Sequence, residues 1–207
     1  MKENKKAKKV VALLLCAVLL VVGSVTGTMA YLTSQDSVTN TFTVGKVAIT
    51  LDEAKVDVYG VKDGDTRVKA NEYKLIPGHT YVKDPIVHVD ASSEDCWVFV
   101  KVENGISTYE DSSNLIAGQI TSKGWTELSG VTNVYFQKCL KIDSDKNLEV
   151  FDEFKIAPDA NTRLYWNDVT TTNTKINITA YAVQADGFGG ADDAEKAKAA
   201  WDATFGA

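Results

Sequence analysis

Residues Cys96–Val102 read CWVFVKV, and the alternation in this stretch decides the class of fold. In an extended chain Cys96, Val98, Val100 and Val102 fall on one face, with Trp97, Phe99 and Lys101 on the other. Both faces are substantially apolar, which predicts a central strand of a sandwich covered on two sides. Lys175–Val183 shows a second alternation. There Ile176, Ile178, Ala180 and Ala182 oppose Asn177, Thr179, Tyr181 and Val183, and the first set is the expected core face. Further strand-like runs are Lys55–Tyr59, Tyr81–Val89, Val134–Ile142 and Leu148–Ile156. Turn-forming residues separate them, at Lys62–Asp65, Pro77-Gly78, Asn104-Gly105, Asp143–Asn147, Pro158–Asn161 and Gly187–Gly190. Short strands so punctuated, with no alternating long helices, predict an all-β, antiparallel β-sandwich.

The two ends of the chain read differently from its middle. Ala191–Phe205 places Ala194, Ala197, Trp201 and Phe205 on one helical side, with Asp192, Asp193 and Glu195 in the first turn and Lys196 four residues after Asp192. A helix this short is marginal alone, so it is expected to dock on the sandwich through Trp201 and Phe205. At the other end, five lysines within the first nine residues precede an unbroken apolar run, Val10–Val22, and then small residues up to Ala30. That order is a secretory signal, with Thr28 and Ala30 at the small positions before a cut at Tyr31. The rival reading is a retained anchor, since no charge occurs from Val10 to Gln35. Lysines on the cytoplasmic side place the remainder outside the cell in either case. Cys16 follows three leucines with no small residue before it, and reads as an apolar thiol of this run rather than a lipid-attachment site. The expected organisation is therefore a signal peptide over 1–30, a sandwich over 31–190 and a carboxyl-terminal amphipathic helix over 191–207.

Composition narrows the function. With 44% apolar and 24% charged residues the chain is globular rather than disordered or collagenous. Beyond residue 30 it holds 17 basic and 27 acidic residues, a balance that repels phosphate backbones and argues against a nucleic-acid partner. The exported cysteines, Cys96 and Cys139, can form one disulfide outside the cell, but they lie in separate strand-like segments and their spacing does not establish a bonding distance.

Between the signal and Leu51 the chain is rich in Thr, Ser and Val. Val38, Phe42 and Val44 nearly alternate, and Gly45 interrupts before Val47, Ile49 and Leu51, which predicts two extended segments. Three blocks carry a family resemblance: Tyr31–Leu51 (YLTSQDSVTNTFTVGKVAITL); Leu75–Asp84 (LIPGHTYVKD) with CWVFVKV; and Leu148–Ile156 with Ile176–Phe188 (INITAYAVQADGF). Together they resemble the TasA/camelysin family of secreted proteins from Gram-positive bacteria, which use a specialised signal peptidase. The resemblance implies a jelly-roll-like sandwich in biofilm matrix fibres or on cell surfaces, with subunits that polymerise by lending an amino-terminal strand to a neighbour. The family pattern does not extend to 191–207.

The resemblance also implies an enzyme reading, because camelysin-type members are described as metalloproteases. A zincin needs two imidazoles one helical turn apart with a Glu between them. This chain has only His79 and His88, nine apart, in a turn and a strand. No nucleophile elbow, phosphate-cradling Gly-rich loop or Cys-His pair is recognisable. The expectation is a non-enzyme without cofactor, catalytic residues or metal. Asp143, Asp145 and Asn147 have the spacing of the first calcium-loop ligands, but Leu148 replaces the required Gly and Phe154 the bidentate Glu, so a hairpin turn is expected. Carboxylate pairs such as Asp63 with Asp65, Glu94 with Asp95 and Asp152 with Glu153 read as solvated charge. The sequon Asn177-Ile178-Thr179 falls in a predicted core strand and is discounted.

Two function classes remain. In the first the protein is an extracellular structural subunit, its partners itself or other matrix proteins, with signal peptidase during export and a membrane only through an uncleaved signal. Residues 31–44 are then the donor strand, with Val38, Phe42 and Val44 as its inserting side chains; the same segment reads equally as the first strand of its own domain. In the second the chain is a camelysin-like surface metalloprotease or a monomeric ligand-binding surface domain, with Trp97, Trp125, Tyr135 and Trp166 as candidate exposed aromatics, although buried core or edge packing is the commoner fate of such residues.

Overall fold

The computed structural model describes residues 8–9, 11, 13–19, 46–141, 143–162 and 174–206. The chain divides into Met1–Thr43 and Val44–Ala207. In the first unit the described residues are helical, and Val11, Leu13, Leu14, Leu15, Val18 and Leu19 are exposed. Among the described residues no helix is long and apolar enough to cross a membrane. The cleavage residues Thr28, Ala30 and Tyr31, and the strand residues Val38, Phe42 and Val44, lie outside the described residues.

Strands dominate the second unit: β1 (Ile49–Val56), β2 (Lys62–Val68), β3 (Thr80–Val82), β4 (Ile86–Val89), β5 (Cys96–Asn104), β6 (Thr126–Glu127), β7 (Val134–Cys139), β8 (Lys146–Glu149), β9 (Glu153–Lys155) and β10 (Ile176–Gln184). One sheet runs β2-β1-β4-β8, a second β10-β5-β7-β6, and β3 pairs with β9; every pairing is antiparallel. Ile49 and Leu51 of β1, Val87 and Val89 of β4 and Leu148 of β8 share one core with Cys96, Val98, Val100 and Val102 of β5 and with Tyr135 of β7. The fold is thus an all-β sandwich, as the alternation in CWVFVKV predicts, and β5 is central, with β10 on one side and β7 on the other.

The second face of β5 is covered by α2 (Asp193–Thr204), which follows α1 (Ile116–Ser122). Trp97 and Phe99 of β5 and Phe136 of β7 pack with Ala197, Ala200 and Trp201. Docking occurs through Trp201 and Phe205, whose rings lie 5.2 and 6.0 Å from Phe99. Ala194 is exposed, and Ala200 takes the place expected for it on the packed face. Asp192 caps the helix by accepting the Glu195 N–H at 2.9 Å, while Glu195 accepts the Ala191 N–H at 2.7 Å.

Several strand boundaries differ from the sequence expectation. The run Lys55–Tyr59 is not a strand of its own: Lys55 and Val56 end β1, and Asp57 then turns the chain by accepting the N–H groups of Tyr59 and Val61, each at 2.9 Å. Lys62–Asp65, expected as a turn, begins β2, because β1 supplies partners and the register shifts between Ala54 and Val56. Tyr81–Val89 splits into β3 and β4 around Lys83, Asp84 and Pro85, since Pro85 has no N–H to donate to a ladder. Leu148–Ile156 likewise splits, with Val150 and Phe151 buried between β8 and β9.

A charged cluster joins β1, β2 and β4. Arg67 Nε donates to Asp52, and His88 Nε2 lies 2.9 Å from the same carboxylate. Asp84 accepts the Ala54 N–H at 2.7 Å and Lys62 Nζ at 3.0 Å. Burial pushes both carboxyls upward, but their hydrogen bonds and cationic neighbours outweigh it and hold Asp52 and Asp84 below the usual aspartate range. Groups lowered in the folded state stabilise it above their unfolded pKa, about 3.9, and lose that contribution as pH falls through the folded value. The urea midpoint should therefore hold from about pH 7 to 5 and decline below about pH 4. Asp84→Asn should lower the midpoint at neutral pH and flatten the acid decline; an unchanged acid slope in this variant would show that Asp84 does not contribute.

Candidate functional site

The feature best suited to recognition is the edge of β10 that no other described strand takes up. All nine of its residues, INITAYAVQ, pair with β5, from Ile176 opposite Asn104 to Gln184 opposite Cys96. Among the described residues no strand pairs with its other side. The strand carries no charge and no Pro, the two common devices that protect an edge from further pairing. Ile176, Ile178, Ala180 and Ala182 pack on the core but are only half-buried, so the sandwich opens along this margin, while Asn177 and Thr179 are exposed. The sequence reading of the core face of this segment thus holds, and the sequon's Asn177 sits on an exposed edge rather than in the core.

The start of β1 is similarly half-covered. Ile49–Asp52 pairs with β4, whereas β2 takes up only Glu53, Ala54 and Val56. Val47, Ile49 and Leu51 are partly buried against the same core as Ile176 and Ile178. The carbonyls of Leu51 and Asp52 accept side chains, Lys69 Nζ and Arg67 Nη2, rather than a strand. An extended segment laid on β10 would gain backbone hydrogen bonds from a complete row of donors and acceptors, and its alternate side chains would cover Ile176, Ile178 and Ala180.

The other sequence candidates have structural roles. Trp97, Trp125 and Tyr135 are buried, the commoner fate of such residues, and so do not serve as exposed ligand-binding aromatics: Trp97 packs under the helix and the other two in the main core. Trp125 donates its Nε1–H to the Glu149 carbonyl at 2.7 Å, and Lys138 Nζ lies 5.2 Å over the Trp97 ring. Trp166 lies outside the described residues. Cys96 and Cys139 face each other directly in the β5–β7 ladder, closer than sequence spacing could establish. Both are free, buried thiols, and burial together with the neighbouring Cys139 pushes the Cys96 thiol up to about 12.

Nor are the two histidines brought together. His79 Nε2 lies 2.9 Å from the Tyr59 carbonyl and its ring meets Tyr81 edge-on, whereas His88 bridges Asp52 and Asn147 across the first sheet. Among the described residues no group of three or more His, Cys, Asp or Glu side chains could hold a metal ion. Asp145 and Asn147 are engaged elsewhere, with the Ala91 N–H and His88, and Leu148 is core. Of the paired carboxylates Asp63, Asp65 and Asp152 are exposed and Glu94, Asp95 and Glu153 half-buried, and Glu94 and Asp152 form ion pairs with Lys141 and Lys123.

Sequence reasoning missed a buried polar cluster made by Glu53, Asn71 and Lys83. A signal was present. Glu53 continues the inward parity of Ile49 and Leu51, and Lys83 lies between Tyr81 and Pro85 in a run whose alternate residues are all buried.

These features define an all-β sandwich with one face closed by a helix and an uncharged edge strand. The sequence model of the camelysin metallo-endopeptidase family matches residues 5–81, from the lysine-rich amino-terminal stretch into β3, and the chain is similar to that family over this span. No curated protein and no solved structure matches the chain. The described residues do not supply the ligand set that a metallo-endopeptidase needs.

Proposed function

We propose that this chain is a secreted structural subunit of an extracellular matrix fibre or cell surface, assembled by strand donation. The observation that carries the reading is the nine-residue, uncharged edge of β10 beside a half-covered core. Residues 31–44, released at one end by signal cleavage, supply the donor, with Val38, Phe42 and Val44 directed into the margin of the neighbouring subunit. A segment free at one end exchanges between chains without threading a loop, and its few charges suit it to an apolar margin.

Negative-stain microscopy and sedimentation of the mature chain over a concentration series test this. Fibres are expected to lengthen with concentration. Phe42→Asp in the donor should abolish them, because a charge would have to enter an apolar groove. Thr179→Lys on the acceptor edge should do the same while leaving the monomer folded. Fibres from both variants equal to those of the parent, or a parent that stays monomeric throughout, would defeat the proposal. Zinc-dependent casein hydrolysis by the purified protein would favour the protease reading instead.

A further inference from the structure

The buried cluster beneath β1 has the parts of a self-acylation site. Glu53 and Lys83 are almost wholly buried, 4% and 7% exposed. Lys83 Nζ donates to Glu53 Oε2, and Asn71 Nδ2 donates to Glu53 Oε1 at 2.9 Å. One carboxylate therefore holds an amine on one oxygen and a carboxamide nitrogen on the other. The carboxamide is fixed in place: Asn71 Nδ2 also donates to the Ala54 carbonyl at 2.9 Å, and Asn71 Oδ1 accepts the Val56 N–H at 3.0 Å. The Tyr73 ring lies 5.9 Å from Lys83 Nζ and packs edge-on against Tyr81 and Phe154, which keeps water from the amine.

We propose that Lys83 and Asn71 join in an intramolecular isopeptide bond, with Glu53 as the catalytic acid and base. A proton passes from Nζ to Glu53 along the existing hydrogen bond, leaving an amine with a free lone pair. Nζ then attacks Cγ of Asn71. The negative charge that develops on Oδ1 is met by the Val56 N–H already donated to it, the arrangement that stabilises a tetrahedral intermediate. Glu53 returns the proton to Nδ2, the Cγ–Nδ2 bond breaks with its electron pair on nitrogen, and ammonia leaves. The Nζ of the new amide gives up its second proton, which departs with the ammonia as ammonium. An ammonium and a carboxamide thus become a secondary amide and ammonium; nothing is oxidised or reduced, and Glu53 is regenerated as a carboxylate. Holding nucleophile, leaving group and proton carrier on one carboxylate, with Lys83 and Glu53 buried, supplies the proximity that an uncatalysed amine and amide lack. The product ties the segment after β2 to the segment after β3 without a cysteine.

Peptide mapping of the purified full chain tests the proposal. Trypsin should release Ala70–Lys74 covalently joined to the peptide that starts at Leu75, uncut at Lys83 and continuing to Lys101, at a combined mass lower by about 17 Da, one ammonia. Glu53→Gln, which keeps the shape of the site, and Lys83→Arg should both be cut at position 83 and yield three separate peptides of full mass, 70–74, 75–83 and 84–101. Circular dichroism establishes that each variant is folded. Complete cleavage at Lys83 in the parent would overturn the proposal. So would a mass loss confined to Ala70–Lys74, which reports a succinimide at Asn71 rather than a cross-link. Cross-linking of Glu53→Gln to the same extent as the parent would remove Glu53 from its role.

Discussion

Trp201→Ala should destabilise the domain by about 3–5 kcal/mol, the range for removing a large buried aromatic. The Trp201 ring meets Phe99 at 5.2 Å and Tyr181 at 5.3 Å, and it is the principal side chain by which α2 covers the outer face of β5 and β10. Its loss leaves Phe99 and Tyr181 facing a cavity that Ala197, Ala200 and Phe205 do not fill. On a domain of this size the change corresponds to a fall in Tm of about 6–20 °C by calorimetry or circular dichroism. Ala194→Ser, on the exposed side of the same helix, should stay within about 0.5 kcal/mol of the parent. A Trp201→Ala melting curve that overlays that of the parent would mean that the helix adds nothing to the stability of the sandwich.

The second large effect is expected at Gly60. Its φ is +78°, and a Cβ there would stand 2.7 Å from the Cα of Tyr81. Tyr81 cannot yield, because its ring stacks on Phe154 at 4.8 Å and its hydroxyl donates to the Lys74 carbonyl at 2.6 Å while accepting the Ile76 N–H at 2.7 Å. Gly60→Ala should therefore cost about 1–2 kcal/mol for the left-handed backbone and about 1–3 kcal/mol more for the collision. Gly64, in β2, has φ +66° and open space where a Cβ would go, so Gly64→Ala should show the conformational part alone. Urea unfolding of the two variants measures the difference. Equal midpoints would show that the contact with Tyr81 is absorbed by the surrounding loop.

The proposed strand donation, the acid lability and the proposed cross-link meet in one part of the molecule, the β1 strand. Its first half borders the half-covered margin next to β10, and its second half carries Glu53 and the backbone groups that hold Asn71 and Asp84. In the proposed fibre this strand would be anchored by side chains from the segments after β2 and β3. Two further hydrogen bonds give the same anchoring, from Lys69 to the Leu51 carbonyl and from Arg67 to the Asp52 carbonyl.

Much of this architecture was legible before any coordinates. The period-two pattern of CWVFVKV placed β5 at the centre, the pattern of Lys175–Val183 identified the core face of β10, and the acidic first turn and aromatic side of the tail announced a docked helix. These succeed because burial acts on every second residue of a strand and every third or fourth of a helix, and so leaves a periodic record in the chain. Helix α1 left too little record: seven residues, IAGQITS, with only Ile116 and Ile120 buried, make one apolar pair, and Gly and β-branched residues obscure it.

What tertiary structure alone decided is which distant residues meet. Lys83 is inward by parity, yet parity cannot say that Glu53 awaits it thirty residues earlier, or that Asn71 turns its amide to the same carboxylate. The facing of Cys96 and Cys139 depends on the β5–β7 register, and the splitting of Tyr81–Val89 on which sheet each half joins. Sequence by itself determined the inward and outward faces, since those follow from local geometry and the exclusion of water from apolar side chains. Partners across strands, and the place of β10 at the end of its sheet among the described residues, were set by pairing register and strand order, which are long-range outcomes of closing one core rather than properties of any segment.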